Sequence, residues 1–155
     1  MGEELVLDFP SRPGRLAPEL VEPVAKAIGI RPLEVQLARD VMAVLEDEAA
    51  VRAVLPDYEP MTGLPGVATI ITAPGQTHDF VSRCFFPGDG VPEDPVTGSA
   101  HCTLIPYWAE RLGKTKLRAF QASRRGGELA CESVGDRVRI GGRAVKVIEG
   151  HFLLA

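Results

Sequence analysis

The chain lacks the features that would direct it to a membrane or to nucleic acid. No apolar run reaches the roughly 18 residues of a spanning helix, and the opening stretch MGEELVLDFPSRPG has too little apolar length for a secretory signal. Basic residues form no stripe, and the formal net charge is −4. We therefore expect a globular domain whose partners include neither membrane nor nucleic acid.

Cysteine and histidine are scarce, and their spacing excludes two kinds of site. The three cysteines are Cys84, Cys102 and Cys131. An odd number of cysteines without Cys-x-x-Cys spacing is typical of a reducing compartment rather than a disulfide framework, so a cytoplasmic location is expected. The three histidines lack the spacing of metal ligands, and no metal is predicted.

What the 155 residues do contain is a succession of short alternating segments broken by Pro and Gly turns. The pattern predicts one α+β domain rich in strands. Helices are expected over residues 17–28 and 47–57, the second capped by Asp47. Strands are expected over residues 4–9, 33–39, 41–46, 66–72, 78–86, 116–123, 128–133, 137–140 and 144–154.

A third helix, over about residues 97–112, is apolar on nearly every side. Such a helix is normally buried, and a domain of this size can bury it by wrapping a curved sheet around it. Pro106 lies at its centre and lacks a backbone N–H, so the carbonyl of Cys102 should lose its helical partner.

The start of this helix carries the most unusual chemistry in the chain. The string PEDPVTGSAHC places Thr97, Gly98, Ser99 and Ala100 at a helix N-terminus, where unpaired amides attract anions. No Gly-Lys-Ser/Thr follows, so a phosphate loop is not indicated. The pattern predicts a site for a carboxylate of a small metabolite.

Asp94 lies three residues before Thr97 and can reach the same helix end. It could accept hydrogen bonds from a substrate or take part in proton transfer, while Glu93 is expected to face solvent. The alternative is that Asp94 or Thr97 merely caps the helix. His101 lies one turn inside the helix and is a candidate ligand contact, and Cys102 is expected to be a buried structural residue.

The segments GDGVPEDPVTGSAHCTLIPYWAERLG, QASRRGGEL and GGRAVKVIEG, with LDFP and LPD before them, resemble the phenazine-biosynthesis PhzF-like family of isomerases. The resemblance implies one lobe of the diaminopimelate epimerase-like fold. In that fold, each of two lobes is a curved, mostly antiparallel sheet around a central helix, with a cofactor-free active site between the lobes. Residues 1–155 would form a single domain equivalent to the second lobe.

Carried over by motif, Asp94 would be the active-site aspartate, and the amides of Gly98 and Ser99 would hold a substrate carboxylate. The first-lobe segment that carries the family's catalytic glutamate and a glycine-histidine pair has no counterpart in this chain. Activity would thus need a partner, either a separate first-lobe chain or a second copy, and the terminal strands would pair with it. The alternative is a non-catalytic ligand-binding or interaction domain derived from such an enzyme.

Overall fold

The computed structural model describes residues 4–89 and 92–152. Among them, nine strands span Glu4–Pro10 (β1), Arg15–Leu16 (β2), Glu34–Leu37 (β3), Val41–Val44 (β4), Thr69–Pro74 (β5), Phe80–Phe85 (β6), Lys116–Gln121 (β7), Gly127–Val134 (β8) and Arg137–Arg143 (β9). The α-helices are Val21–Ile28 (α1), Glu48–Ala53 (α2), Tyr58–Met61 (α3) and His101–Leu112 (α4), and 3-10 turns cover Pro18–Leu20 and Pro87–Asp89.

All nine strands form one sheet in the order β1-β9-β8-β7-β6-β5-β4-β3-β2. Neighbouring strands run antiparallel except in the pairs β4–β5 and β6–β7. The predicted α+β class with a mostly antiparallel sheet is therefore confirmed.

The connection between β1 and β2 requires the sheet to curve strongly. The two strands lie at opposite edges, which would be roughly 38 Å apart if the sheet were flat. Residues 11–14 join them, and that length of chain spans at most about 18 Å. The segment passes over α4, because the amide of Arg12 donates to the Cys102 carbonyl over 2.8 Å. This carbonyl is the one that Pro106 leaves without a helical partner, so the proline frees an acceptor for the crossing segment.

The two faces of the sheet carry separate cores. On the inner face, α4 packs against β7, β8 and β9, and the first five residues of α4 are all buried. On the outer face, α1, α2 and α3 cover the half of the sheet built from β3 to β6. The C-terminal turn of α4 is exposed, so the helix is enclosed at its start rather than along its whole length.

Several predicted elements have different bounds in the structure. Helix α4 begins at His101 rather than at residue 97, because the side chains of Gln121 and Asp94 hold Thr97 in a non-helical loop. The strand predicted over residues 144–154 is wrong for residues 144–152, which have no strand partner among the described residues, and its last two residues lie outside the described part. The short β2 and α3 were not predicted.

Candidate active site

Asp94 lies half-buried in the loop between β6 and α4, and the fold holds both its backbone and its side chain. Its amide donates to the Cys84 carbonyl at the end of β6 over 3.0 Å. Its Oδ2 accepts a hydrogen bond from the Thr97 hydroxyl over 2.6 Å. Two predicted site residues are thus in direct contact, and the Asp94 carboxylate has a defined orientation.

The side chain that anchors this loop is Gln121, at the end of β7, which the sequence interpretation did not select. Gln121 is fully buried. Its Oε1 accepts from the Thr97 amide over 2.7 Å, and its Nε2 donates to the Asp94 carbonyl over 2.8 Å and to Thr97 Oγ1 over 3.1 Å. No local pattern could indicate this contact, because more than twenty residues separate the partners in sequence.

Glu93 does not face solvent as predicted, because Arg83 on β6 binds it. Arg83 Nε and Nη2 donate to the two carboxylate oxygens over 2.7 and 3.1 Å. Arg83 Nη1 also donates to the carbonyls of Val51 and Val54 at the end of α2. This bidentate pair therefore fastens the loop beside Asp94 to the outer-face helices.

The turn that leads into α4 presents free backbone donors. Among the described residues, the amides of Gly98, Ser99 and Ala100 have no acceptor, and the helix has no side-chain cap. The alternative in which Asp94 or Thr97 caps the helix is therefore wrong. A Cβ added to Gly98 would meet no atom within 4 Å, so the space over this turn is open to a ligand.

Arg39, between β3 and β4, places a positive charge at the same turn. Its Nη2 donates to Ser99 Oγ over 3.2 Å. The guanidinium is also paired with the buried carboxylate of Asp40 over 2.9 Å, and Asp40 Oδ1 in turn accepts from the Ala68 amide. Sixty residues separate Arg39 from Ser99, so the sequence could not pair them.

His101 lies beneath the turn and is fully buried, so its side chain does not face the space above Gly98. Its Nδ1 donates to the Thr97 carbonyl over 2.8 Å, and its Nε2 has no partner among the described residues. Burial lowers the pKa of His101 to about 4, against the opposing effect of the Thr97 hydrogen bond. The imidazole is neutral at neutral pH and supports the loop from inside the core.

The cysteines are free and buried, as predicted for Cys102. Burial raises the pKa of Cys84 and of Cys131 to about 12. Burial also raises the pKa of the Cys102 thiol, although the nearby charges of Arg12 and Arg39 oppose the shift. Since the thiolate is the nucleophile, none of these thiols is suited to covalent catalysis.

A groove of about 810 Å³ reaches from Gly98 along the adjoining parts of β7, β8, β9 and β1. Its lining combines apolar side chains, glycines and arginines, including Leu5, Leu7, Gly98, Arg125, Ile140 and Arg143. Along residues 4–89 and 92–152, no group of three or more His, Cys, Asp or Glu side chains is arranged to hold a metal ion, and no helix is long and apolar enough to cross a membrane.

Comparison with known proteins identifies the family. The family model described as "Phenazine biosynthesis-like protein" matches residues 24–150. An uncharacterized isomerase of Pseudomonas aeruginosa is 50% identical over 154 residues, which cover 99% of this chain and 59% of that protein. An uncharacterized isomerase of Halalkalibacterium halodurans is 40% identical over 156 residues, again 99% of this chain and 59% of the relative. The chain thus spans about three fifths of the length of these relatives.

Solved structures agree with the sequence relatives. The crystal structure of a PhzF-family phenazine biosynthesis protein from Enterococcus faecalis superposes with a TM-score of 0.91 at 44% identity, covering 98% of this chain and 58% of that one. A putative PhzC/PhzF protein from Clostridium difficile gives a TM-score of 0.83 at 38% identity, covering 99% of this chain and 60% of that one. With its wrapped central helix and the motif that carries Asp94, the chain belongs to the phenazine biosynthesis-like PhzF family.

Proposed function

We propose that this chain is one lobe of a cofactor-independent isomerase or epimerase that moves a proton on a small carboxylate-bearing substrate. The observation that carries the proposal is the position of Asp94, oriented by Thr97 in the loop that leads directly into the unpaired amides of residues 98–100. That combination provides a proton-transfer group next to an anion-binding turn.

The free amides and Arg39 fit the charge that develops in such a reaction. Removing a proton next to a carboxylate places additional negative charge on the carboxylate oxygens. The amides of Gly98 and Ser99 would bind these oxygens, and the Arg39 charge, already in contact with Ser99, would add to the field. The donors are held by the fold before substrate arrives, which is the arrangement that stabilises a transition state most.

Asp94 would act on the polar groups of the same substrate. Its Oδ2 is engaged by Thr97, while Oδ1 has no hydrogen-bond partner among the described residues. Oδ1 is therefore the oxygen that would receive or return a proton. Proton exchange at carbon needs a second group on the opposite side of the substrate, and the family resemblance assigns that role to a glutamate of the first lobe.

A partner that supplies this lobe is part of the proposal. The chain spans 59% of the length of its isomerase relatives. On the inner face, Leu5, Leu7 and Phe9 of β1 are partly or largely exposed, although the strand pairs with a buried part of β9. Residues 144–152 expose further apolar side chains. We infer that β1 and this terminal segment pair with a separate first-lobe chain or with a second copy.

The compartment is inferred from the cysteines alone. Three buried free thiols fit a reducing environment, and we propose a cytoplasmic location for the assembled enzyme.

The test is solvent deuterium incorporation into amino- and hydroxy-acid substrates. The chain is assayed alone and mixed with the remaining part of the Pseudomonas aeruginosa relative, expressed separately. We expect exchange only in the mixture, and a loss of about 100-fold or more in Asp94→Asn. Asp136→Asn, in the exposed turn between β8 and β9, is the matched control and should keep full exchange.

The same experiment separates the proposal from the alternative of a non-catalytic binding domain. Carboxylate binding by the mixture without any exchange, together with no effect of Asp94→Asn, would establish the binding domain and end the enzymatic proposal.

A further inference from the structure

Gln121 uses all of its donor capacity on the loop that carries Asp94. Its Oε1 faces the Thr97 amide, which can only donate, and its Nε2 faces the Asp94 carbonyl, which can only accept. These two backbone partners fix which way round the side-chain amide lies. The second proton of Nε2 is directed at Thr97 Oγ1 over 3.1 Å.

This arrangement determines where the Thr97 hydroxyl proton points. A threonine hydroxyl has one proton and two acceptor lone pairs. Because Nε2 of Gln121 has no lone pair to offer, Oγ1 must accept from it, and the single hydroxyl proton remains for Asp94 Oδ2 at 2.6 Å. In the series of hydrogen bonds from Gln121 through Thr97 to Asp94, each donor therefore points towards Asp94.

A strand inside the sheet holds Gln121 and with it this series of hydrogen bonds. Gln121 ends β7, where Ser82 of β6 is its parallel neighbour, and the next amide, of Ala122, donates to the Ser82 carbonyl over 2.7 Å. The side chain is fully buried between the sheet and the loop. A group held by a central strand keeps a more precise geometry than one held by a loop.

We propose that Gln121 is a positioning residue, which fixes the carboxylate of Asp94 through the hydroxyl of Thr97 and leaves Oδ1 directed to the substrate. This inference rests on the proposed function, because it assigns Gln121 a role in the same site. Gln121 does not touch the substrate; it acts only by orienting the two residues above it.

The test measures the Asp94 side chain itself. In the full chain labelled with carbon-13 and nitrogen-15, scalar couplings report whether Asp94 occupies one χ1 rotamer or averages over several. We expect Asp94 to occupy one χ1 rotamer in the unmodified chain and to average over several in Thr97→Val. In Thr97→Ser, which restores the hydroxyl, Asp94 should again occupy one rotamer. In Gln121→Met, Asp94 should also average over several rotamers; if that variant does not fold, Gln121→Glu, which keeps the size of the side chain but has no Nε2 donor, takes its place.

Ser123→Ala is the matched control, because Ser123 donates to the Pro95 carbonyl of the same loop over 2.7 Å but bonds to neither Asp94 nor Thr97. In Ser123→Ala, Asp94 should keep its single χ1 rotamer. A single rotamer in either Thr97→Val or the folded Gln121 variant would overturn the proposal, and so would averaging in Ser123→Ala equal to that in Thr97→Val.

The deuterium assay then separates this inference from the proposed function. In the reconstituted mixture, Thr97→Val should lower kcat by about tenfold or more with KM changed by less than about threefold, and Thr97→Ser should recover kcat. If the rotamer results hold but the unmodified mixture exchanges nothing, the proposed function fails while the orientation of Asp94 by Gln121 stands.

Discussion

A buried imidazole illustrates how much the properties of one residue depend on its surroundings. His101 stands next to the predicted anion site in sequence, which made it a candidate ligand contact. In the fold it is completely enclosed, stacks obliquely near Phe80, and donates to the Thr97 carbonyl. Burial disfavours the protonated imidazole more than the Thr97 hydrogen bond favours it, so the protonation of His101 is linked to folding.

This linkage predicts a loss of stability in mild acid. The pKa of His101 is about 4 in the folded chain and about 6.5 in the unfolded chain. The unfolded state therefore binds the proton first as the pH falls, and the contribution present above pH 6.5 disappears progressively towards pH 4. The full effect is about 3 kcal/mol in the free energy of unfolding.

Urea unfolding at pH 7.5, 6.5, 5.75 and 5 measures the effect. His101→Asn, whose Nδ2 can replace the Nδ1 donor, should show a flatter dependence between pH 6.5 and 5, where few carboxylates titrate. Identical slopes for the two proteins in that range would contradict the linkage.

At the scale of elements, the hairpin of β7 and β8 acts as the support of the Asp94 loop. Gln121 ends β7, and Gly127 begins β8 against Val96 of the loop. A Cβ on Gly127 would lie 2.2 Å from Val96 Cγ2, so only glycine fits between the hairpin and the loop. The two strands were predicted from their alternation and the turn between them, but their contact with the loop was not, because local sequence patterns specify strands and turns rather than their distant neighbours.

Gly127→Ala should therefore destabilise the fold by about 1–3 kcal/mol through overpacking against Val96. Adding Val96→Ala should recover part of that loss, since the second change removes the overlapping methyl groups. Gly142→Ala, where an added Cβ meets nothing within 4 Å, is the control and should change the free energy of unfolding by less than about 0.5 kcal/mol. Chemical denaturation measures all four proteins, and equal effects at Gly127 and Gly142 would refute the packing argument.

At the scale of the whole molecule, the curved sheet covers α4 but leaves part of its own inner face open. Leu5, Leu7 and Phe9 lie opposite Gly142, Ile140 and Val138 in the β1–β9 register. Val138 and Ile140 belong to the core around α4, whereas Leu7 is 55% exposed. The inner face thus continues beyond the helix as an apolar surface next to the groove at Gly98.

We predict that this surface mediates association. Leu7→Asp should weaken binding to the first-lobe chain, or self-association, by about tenfold or more, because the burial of a leucine side chain contributes about 1.5–3 kcal/mol. Val6→Asp is the control, since Val6 is 57% exposed on the opposite face of the same strand. Light scattering at micromolar concentration gives the mass, and a strictly monomeric mass with and without the first-lobe chain would contradict the prediction.

The sequence by itself determined the α+β class, most strands, the buried helix, the acceptor freed by Pro106 and the family, because these depend on local periodicity, turn residues and a continuous motif. Only the tertiary structure decided where α4 begins, that Glu93 pairs with Arg83, and that Gln121 and Arg39 reach the turn before α4. The contacts of Gln121 and Arg39 join residues far apart in the chain, and the fold of the one sheet brings them together at a single helix end.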